Sequence, residues 1–337
     1  MLPTIAQKAA FLATLPDVTQ VIETHMAFVF LTSGHAFKLK KPLRFGYFDH
    51  RSLRAREKAC SQELRLNRAL ASDIYLKKVA LVLCQGDLLL DDPPSTRAQA
   101  GKPVDWLVKM RRLPQDRMLD AVIAAGQGPD LLDMVPVVAH LARFYRSQQQ
   151  TSVRPGVYFS HLTNEQRINS FQLIRMAGHL PDPAMAQITH ELSHRMERVR
   201  DDIAQRETMG QVVEGHGDLR PEHVCLTQPV IIFDRVETAL EMRVIDVFDE
   251  VGYLAAECAL MGRQDLGSAL MQGLAAEGFV PPPPHLQSVY TMFRLVTRAR
   301  LALMHLRDPM PRTPQKWPLR AAACLGEAIR MSRLTST

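Results

Sequence analysis

The chain has 337 residues, 46% hydrophobic and 23% charged, enough to bury a core and too many for one average domain of ~150 residues. With 22 Pro, 17 Gly and 6% aromatic residues the composition is ordinary, which excludes collagen-like, low-complexity and disordered classes. Lys plus Arg exceeds Asp plus Glu by 41 to 35, but pairs such as Lys40-Lys41, Lys77-Lys78 and Arg111-Arg112 are scattered and flank apolar residues, so no nucleic-acid stripe is expected.

Five cysteines (Cys60, Cys84, Cys225, Cys258, Cys324) are odd in number and form no C-x-x-C pair, which argues against a disulfide framework or a thiolate zinc site and for a reducing cytoplasm. No stretch approaches the ~18 apolar residues of a membrane span, and the first residues lack a long apolar core, so neither membrane insertion nor secretion is expected.

After a short opening helix, Val21 to Leu31 and Ala36 to Lys40 read as strands about the turn Thr32-Ser33-Gly34-His35. Arg51 to Leu70 carries Leu53, Ala59, Leu64, Leu66 and Leu70 at roughly helical spacing. Tyr75 to Leu90 reads as two strands about Gln85-Gly86-Asp87, and Val104 to Met110 as a further strand. Beyond Asp116 the periodic segments are helical: Leu131 to Gln148, Asn164 to Met176, Pro183 to Arg206, Val251 to Glu277, Leu286 to Leu306 and Leu319 to Leu334. They are broken around Val212 to Val247, and Pro281 to Pro284 reads as a stiff connector. The expected class is α+β with two lobes, a small β-rich lobe over residues 1–113 and a larger, mainly helical lobe over residues 114–337.

The densest polar cluster is Glu214-Gly215-His216-Gly217-Asp218-Leu219-Arg220-Pro221-Glu222-His223, followed by apolar Val224-Cys225-Leu226 and Val230-Ile231-Ile232-Phe233-Asp234. One carboxylate in such a loop can orient a hydroxyl and accept its proton, while a second, sixteen residues on, can hold a divalent metal that bridges phosphates. On the strand Ala36 to Lys40, period two puts Lys38 and Lys40 on one face and Phe37 and Leu39 on the other.

His216 to His223 resembles the H-G-D-x-x-x-x-N catalytic loop of the aminoglycoside phosphotransferase and choline kinase group, and Ala36-Phe37-Lys38 is similar to the A-I-K of the kinase V-A-I-K strand. The resemblance implies a protein-kinase-like fold and an ATP- and Mg²⁺-dependent phosphotransferase acting on a hydroxyl of a small molecule. It implies that Asp218 is the catalytic acid-base residue, that Arg220 contacts the transferred phosphate, and that Asp234 binds metal in the place of the D-F-G Asp. It further implies Lys38, with Lys40 as the alternative, on the nucleotide phosphates, Glu63 as the ion-pair partner of that lysine, and the strand end at Met110 as the hinge whose backbone holds adenine. The family's second metal ligand, an Asn, is His223 here, a poor match to magnesium. More narrowly, Glu23 to Thr32, Lys38 to Pro42 and Glu63 to Tyr75 look like the N-terminal half of bacterial bifunctional aminoglycoside phosphotransferase/ATP-binding proteins. No G-x-x-x-x-G-K-[ST] occurs in this chain, so a P-loop kinase would be a separate partner.

Between Asp234 and Glu257 seven acids face two arginines, an excess that either attracts a cationic acceptor or marks structural ion pairs. Two other functions compete with the kinase. His223 in place of Asn suits a nucleotide-binding module without turnover. His190-Glu191-Leu192-Ser193-His194 matches the H-E-x-x-H of zinc peptidases, with Glu214 as a conceivable third ligand.

Overall fold

Alternation of side chains decides how the first sheet is filled. In the computed structural model, which describes residues 2–46, 48–126, 134–149, 154–308 and 313–334, the strand His35–Lys40 sends Phe37 and Leu39 into an apolar cluster with Leu12, Phe30 and Leu107. Ala36 takes the opposite face, with Cys60 and Leu64 of the helix Leu53–Ala71. The sheet has six antiparallel strands in the order Gln20–Glu23, Ala27–Leu31, His35–Lys40, Lys102–Arg111, Tyr75–Cys84 and Asp87–Leu90.

Where one extended stretch was expected over Val21 to Leu31, there are two strands. The Thr24 hydroxyl accepts the N–H of Ala27 at 2.9 Å and closes a tight turn between them. The helix Leu53–Ala71 starts at Ser52, whose hydroxyl accepts the Ala55 N–H at 3.1 Å. Its Leu64 lies against the sheet, a burial that stabilises by roughly 1.5–3 kcal/mol. The same helix also buries Glu63 and Asn67 completely.

The chain divides into two compact units, Met1–Arg117 with Ile231–Ala239, and Met118–Val230 with Leu240–Thr337. The first unit therefore includes a segment from far along the sequence that a single cut after residue 113 does not assign to it. The second unit is mainly helical, with Leu162, Leu192, Ile203, Phe293, Val296 and Leu325 in its core. Its helix Val157–Met176 begins seven residues before the expected Asn164, just after Gly156 at φ +77°. The periodic run Pro183 to Arg206 holds two helices, Ile188–Arg198 and Arg200–Thr208. Val251 to Glu277 is likewise split, into Val247–Leu260 and Gln264–Ala276, by Gly262 at φ +85°. The proline run ends as the start of the helix Pro284–Met304, where a missing N–H costs nothing. The helix expected from Leu131 is present over Met134–Gln148; 131–133 lie outside the described residues. All five cysteines are buried thiols. Among the described residues no helix is long and apolar enough to cross a membrane.

Candidate active site

In the first unit the two lysines of the strand His35–Lys40 meet three carboxylates. Lys38 Nζ lies 3.0 Å from Glu63 Oε1 and 2.7 Å from Asp234 Oδ1. Lys40 Nζ lies 2.5 Å from Glu63 Oε2 and 2.5 Å from Glu237 Oε1. Glu63 thus bridges both ammonium groups, as the expected ion pair requires, and the chain of contacts runs Asp234, Lys38, Glu63, Lys40, Glu237. Burial works against the charge of Lys38, but Asp234, Glu63 and Glu237 outweigh it and hold the ammonium well above its ordinary pKa. Lys40 is raised in the same way, and the Glu237 carboxyl, despite burial, is lowered by Lys40 and Lys38. Lys38 is the more open of the two lysines, with 17% of its side chain exposed against 4% for Lys40, and Asp234 is 38% exposed.

Asp234 adopts φ +63°, a left-handed conformation that costs a non-glycine residue free energy. Three bonds compensate. The Asp234 N–H donates to the Tyr75 hydroxyl at 3.0 Å, the Arg235 N–H to Asn67 Oδ1 at 2.8 Å, and Asn67 Nδ2 to the Arg235 carbonyl at 3.2 Å. Sequence reasoning missed Asn67 and Tyr75. The signal for Asn67 was its place four residues after Glu63, one turn along the same helix face.

Met110 is the penultimate residue of the strand Lys102–Arg111. It lies within the ladder, opposite Ala36 on one side and Tyr75 on the other. The N–H groups of Arg111 and Arg112 still donate to Ile74 and Gly34, at 2.9 and 3.0 Å, so Leu113 is the first residue past the sheet. The Met110 side chain belongs instead to an apolar cluster with Leu31, Ala36 and Val108, against which Ile22, Val29, Ile231 and Phe233 pack.

The second unit carries the loop. Strand Val212–Glu214 pairs with Val244–Asp246 and delivers Gly215, where an added Cβ would lie 2.5 Å from Ile245 Cγ2 and 2.7 Å from Glu250 Oε2. Glu250, on the helix Val247–Leu260, accepts the N–H groups of His216 and Gly217 at 2.9 and 2.6 Å and the Tyr145 hydroxyl at 2.8 Å. Gly217 turns the chain at φ +89°. Asp218 follows, with Oδ2 3.0 Å from Arg220 Nη2. Burial raises the Asp218 carboxyl, but Arg220, His223 and Arg298 overcome that and hold it below the usual range, so it is charged at neutral pH.

Arg220 also pairs with Glu222, and its Nη2 meets His223 Nε2 at 3.3 Å. His223 Nδ1 lies 2.7 Å from the Asp218 carbonyl oxygen, to which only a protonated Nδ1 can bond, and Nε2 faces the Arg220 guanidinium. Both ring nitrogens are engaged and one faces a guanidinium, so the metal-ligand role expected for His223 does not fit; the imidazole braces the loop. His216 supports it from behind, stacked on His223 at 5.6 Å and facing the Asp218 N–H with Nδ1 at 3.3 Å.

The acidic run from Asp234 to Glu257 is largely bonded. Asp246 pairs with Arg206 at 2.6 Å, Asp249 with Arg294 and the Tyr158 hydroxyl, and Glu257 with Arg298 and Arg320. On the helix Ile188–Arg198, Glu191 is tied to Arg195 at 2.6 Å, His190 and His194 are exposed, and Glu214 pairs with Arg243 at 2.9 Å. Among the described residues no three His, Cys, Asp or Glu side chains gather as a metal site.

No protein-family model matches the chain. It is 29% identical over 302 residues to uncharacterized proteins of Mycobacterium tuberculosis (strain ATCC 25618 / H37Rv) and Mycobacterium bovis, covering 86% of this chain and 56% of each of theirs. The chain thus spans about half the length of the curated relatives it matches. Among solved structures, it is similar to the GDP and kanamycin complex of APH(2")-IIia, with TM-score 0.55 and 16% identity over 97% of this chain and 99% of that one. It is similar to the GDP complex of wild-type aminoglycoside 2'-phosphotransferase-IIIa, with TM-score 0.52 and 17% identity over 96% and 98%. Choline kinase from Cryptosporidium parvum Iowa II gives TM-score 0.52 and 9% identity over 94% and 88%. The fold is the two-lobed, protein-kinase-like α+β fold expected from the motifs, and the structures that share it are small-molecule phosphotransferases.

Proposed function

We propose that this chain is an ATP-dependent small-molecule kinase that transfers the γ-phosphoryl group to a hydroxyl. The observation that carries the reading is the contact chain Glu63, Lys38, Asp234, a cation held between a buried anion and a partly open one in a fold shared with phosphotransferases. In this reading Lys38 exchanges Asp234 for the α and β phosphates, and Glu63, itself fixed by Lys40, keeps the ammonium in position. The base rests on the apolar cluster around Ala36 and Met110, and the backbone from Leu113 onward meets its edge.

Asp234 fits magnesium, being an oxygen donor with solvent access. Asp234 would hold Mg²⁺, which when bound would supply positive charge to offset that of the phosphates. Asp218 accepts the hydrogen bond of the acceptor hydroxyl and takes its proton as the new oxygen–phosphorus bond forms and the bond to the ADP oxygen breaks. Arg220 balances charge on the group in transit, turning to it from Glu222.

ADP formation from MgATP with a panel of hydroxyl compounds tests the reading. Asp234→Ala should abolish turnover and Asp218→Asn should reduce it on the order of 10²–10⁴-fold, with the fold intact by circular dichroism. Unchanged turnover in either variant would contradict it. A second reading, nucleotide binding without turnover, draws on His223 in the place of the family's Asn; it predicts ATP binding and no ADP.

A further inference from the structure

Glu250, Tyr253 and Glu257 follow one another at spacings of three and four on the helix Val247–Leu260, and so share one face. The first of them holds the amides of His216 and Gly217, directly before Asp218. The last is gripped by two arginines from two further helices: Arg298 Nε lies 3.2 Å from Glu257 Oε1, and Arg320 Nη2 bonds Oε2. Arg298 also lies in the field of Asp218 and Glu222, so what the cluster offers is hydrogen-bond donors and not excess charge. Each guanidinium has five N–H donors in a fixed fork, and each commits one nitrogen to Glu257. Their side chains remain 22% and 26% exposed, so part of each is open to solvent. Arg298 belongs to the same field as the loop, since its charge helps to lower the Asp218 carboxyl.

The acids that suggested a cationic acceptor are largely bonded elsewhere in the fold, Glu257 by these two arginines. Asp246 is paired with Arg206 and Asp249 with Arg294, while Glu250 is hydrogen-bonded by backbone amides and Tyr145. We propose that the acceptor is a small hydroxyl compound carrying an oxyanion, a carboxylate or a phosphate, which the forks of Arg298 and Arg320 hold while Asp218 addresses its hydroxyl. The assignment rests on the phosphotransferase reading and names its substrate class. A planar fork matches carboxylate and phosphate geometry in a way that an amine or a quaternary ammonium cannot use.

Calorimetric titration of the full chain tests the proposal, with gluconate as the carboxylate probe, glycerol 3-phosphate as the phosphate probe, and choline and glycerol as cationic and neutral controls. Mg²⁺ with a non-hydrolysable ATP analogue is titrated in parallel. At least one anion should bind at millimolar concentration or tighter, and Arg298→Gln or Arg320→Gln should weaken it at least tenfold, with the Lys variants recovering part of the loss. Glu257→Gln should tighten anion binding, because both forks are released, even where it lowers the melting temperature; a merely structural role for the cluster would not give that sign. Binding of the nucleotide with no binding of either anion, binding of choline in their place, or anion binding indifferent to both arginines would overturn the acceptor assignment alone. Anion binding with no nucleotide binding would overturn the phosphotransferase reading beneath it.

Discussion

Asn67 closes a two-point clasp on Arg235, its side-chain oxygen accepting the Arg235 N–H at 2.8 Å and its nitrogen donating to the Arg235 carbonyl at 3.2 Å. The side-chain amide behaves as a short piece of neighbouring strand. It fixes the residue after Asp234, whose left-handed backbone cannot hold itself. Because the same Nδ2 also reaches the Glu63 carbonyl at 3.1 Å, one residue couples the helix that carries Glu63 to the segment that carries Asp234.

Asn67→Ala should therefore lower stability by about 1–3 kcal/mol, the cost of leaving buried backbone groups unpaired. The Mg²⁺ dependence of nucleotide binding should weaken with it. Urea denaturation and titration of the variant check both, and Asn67→Asp, which keeps the acceptor, should lose less than Asn67→Ala. No change in either quantity would deny the clasp its role.

Gly215→Ala places a Cβ against Ile245 and Glu250 with no flexible space between them. Overpacking of this kind costs about 1–3 kcal/mol, and it pushes Glu250 off the amides that shape the loop before Asp218. Turnover should fall with stability. A variant as stable and as active as the parent would show that the loop does not depend on this approach.

The Glu237 carboxyl is buried, which raises it, but Lys40 and Lys38 prevail and its folded pKa lies below its unfolded one. Such a group stabilises above the ordinary Glu value of ~4.3 and loses that contribution as pH falls through the folded value. Urea midpoints measured between about pH 5 and pH 3 should fall more steeply for the wild type than for Glu237→Gln. Glu250, raised by burial, works with the opposite sign in both proteins, so the difference isolates Glu237. Parallel midpoints would contradict the lowered pKa.

Much of this was legible in the sequence because the relevant order is local. Period two put Lys38 and Lys40 on the face of Ala36, and the family resemblance named Glu63 as their partner, which the structure pairs with both. The turn glycines and the paired acids of the loop were visible for the same reason. What the sequence hid depends on contacts across long separations. Asn67 and Arg235 are 168 residues apart, and no periodicity announces that a single amide will hold a distant backbone. The strand read over Val104 to Met110 runs over Lys102–Arg111, and the Arg112 N–H bonds Gly34 beyond it, because edge bonds to neighbouring turns are not written in composition. The acidic run was visible as charge, but its partners Arg206, Arg294, Arg298 and Arg320 lie on other helices, so its neutralisation was not.

The most direct measurement is calorimetric titration of Mg²⁺ and a non-hydrolysable ATP analogue into the wild type, Lys38→Met and Asp234→Ala. One molecule should bind per chain, with the affinity at least tenfold weaker in Lys38→Met and no longer dependent on Mg²⁺ in Asp234→Ala. Equal, Mg²⁺-dependent affinity in all three proteins would mean that Lys38 and Asp234 do not serve a common triphosphate.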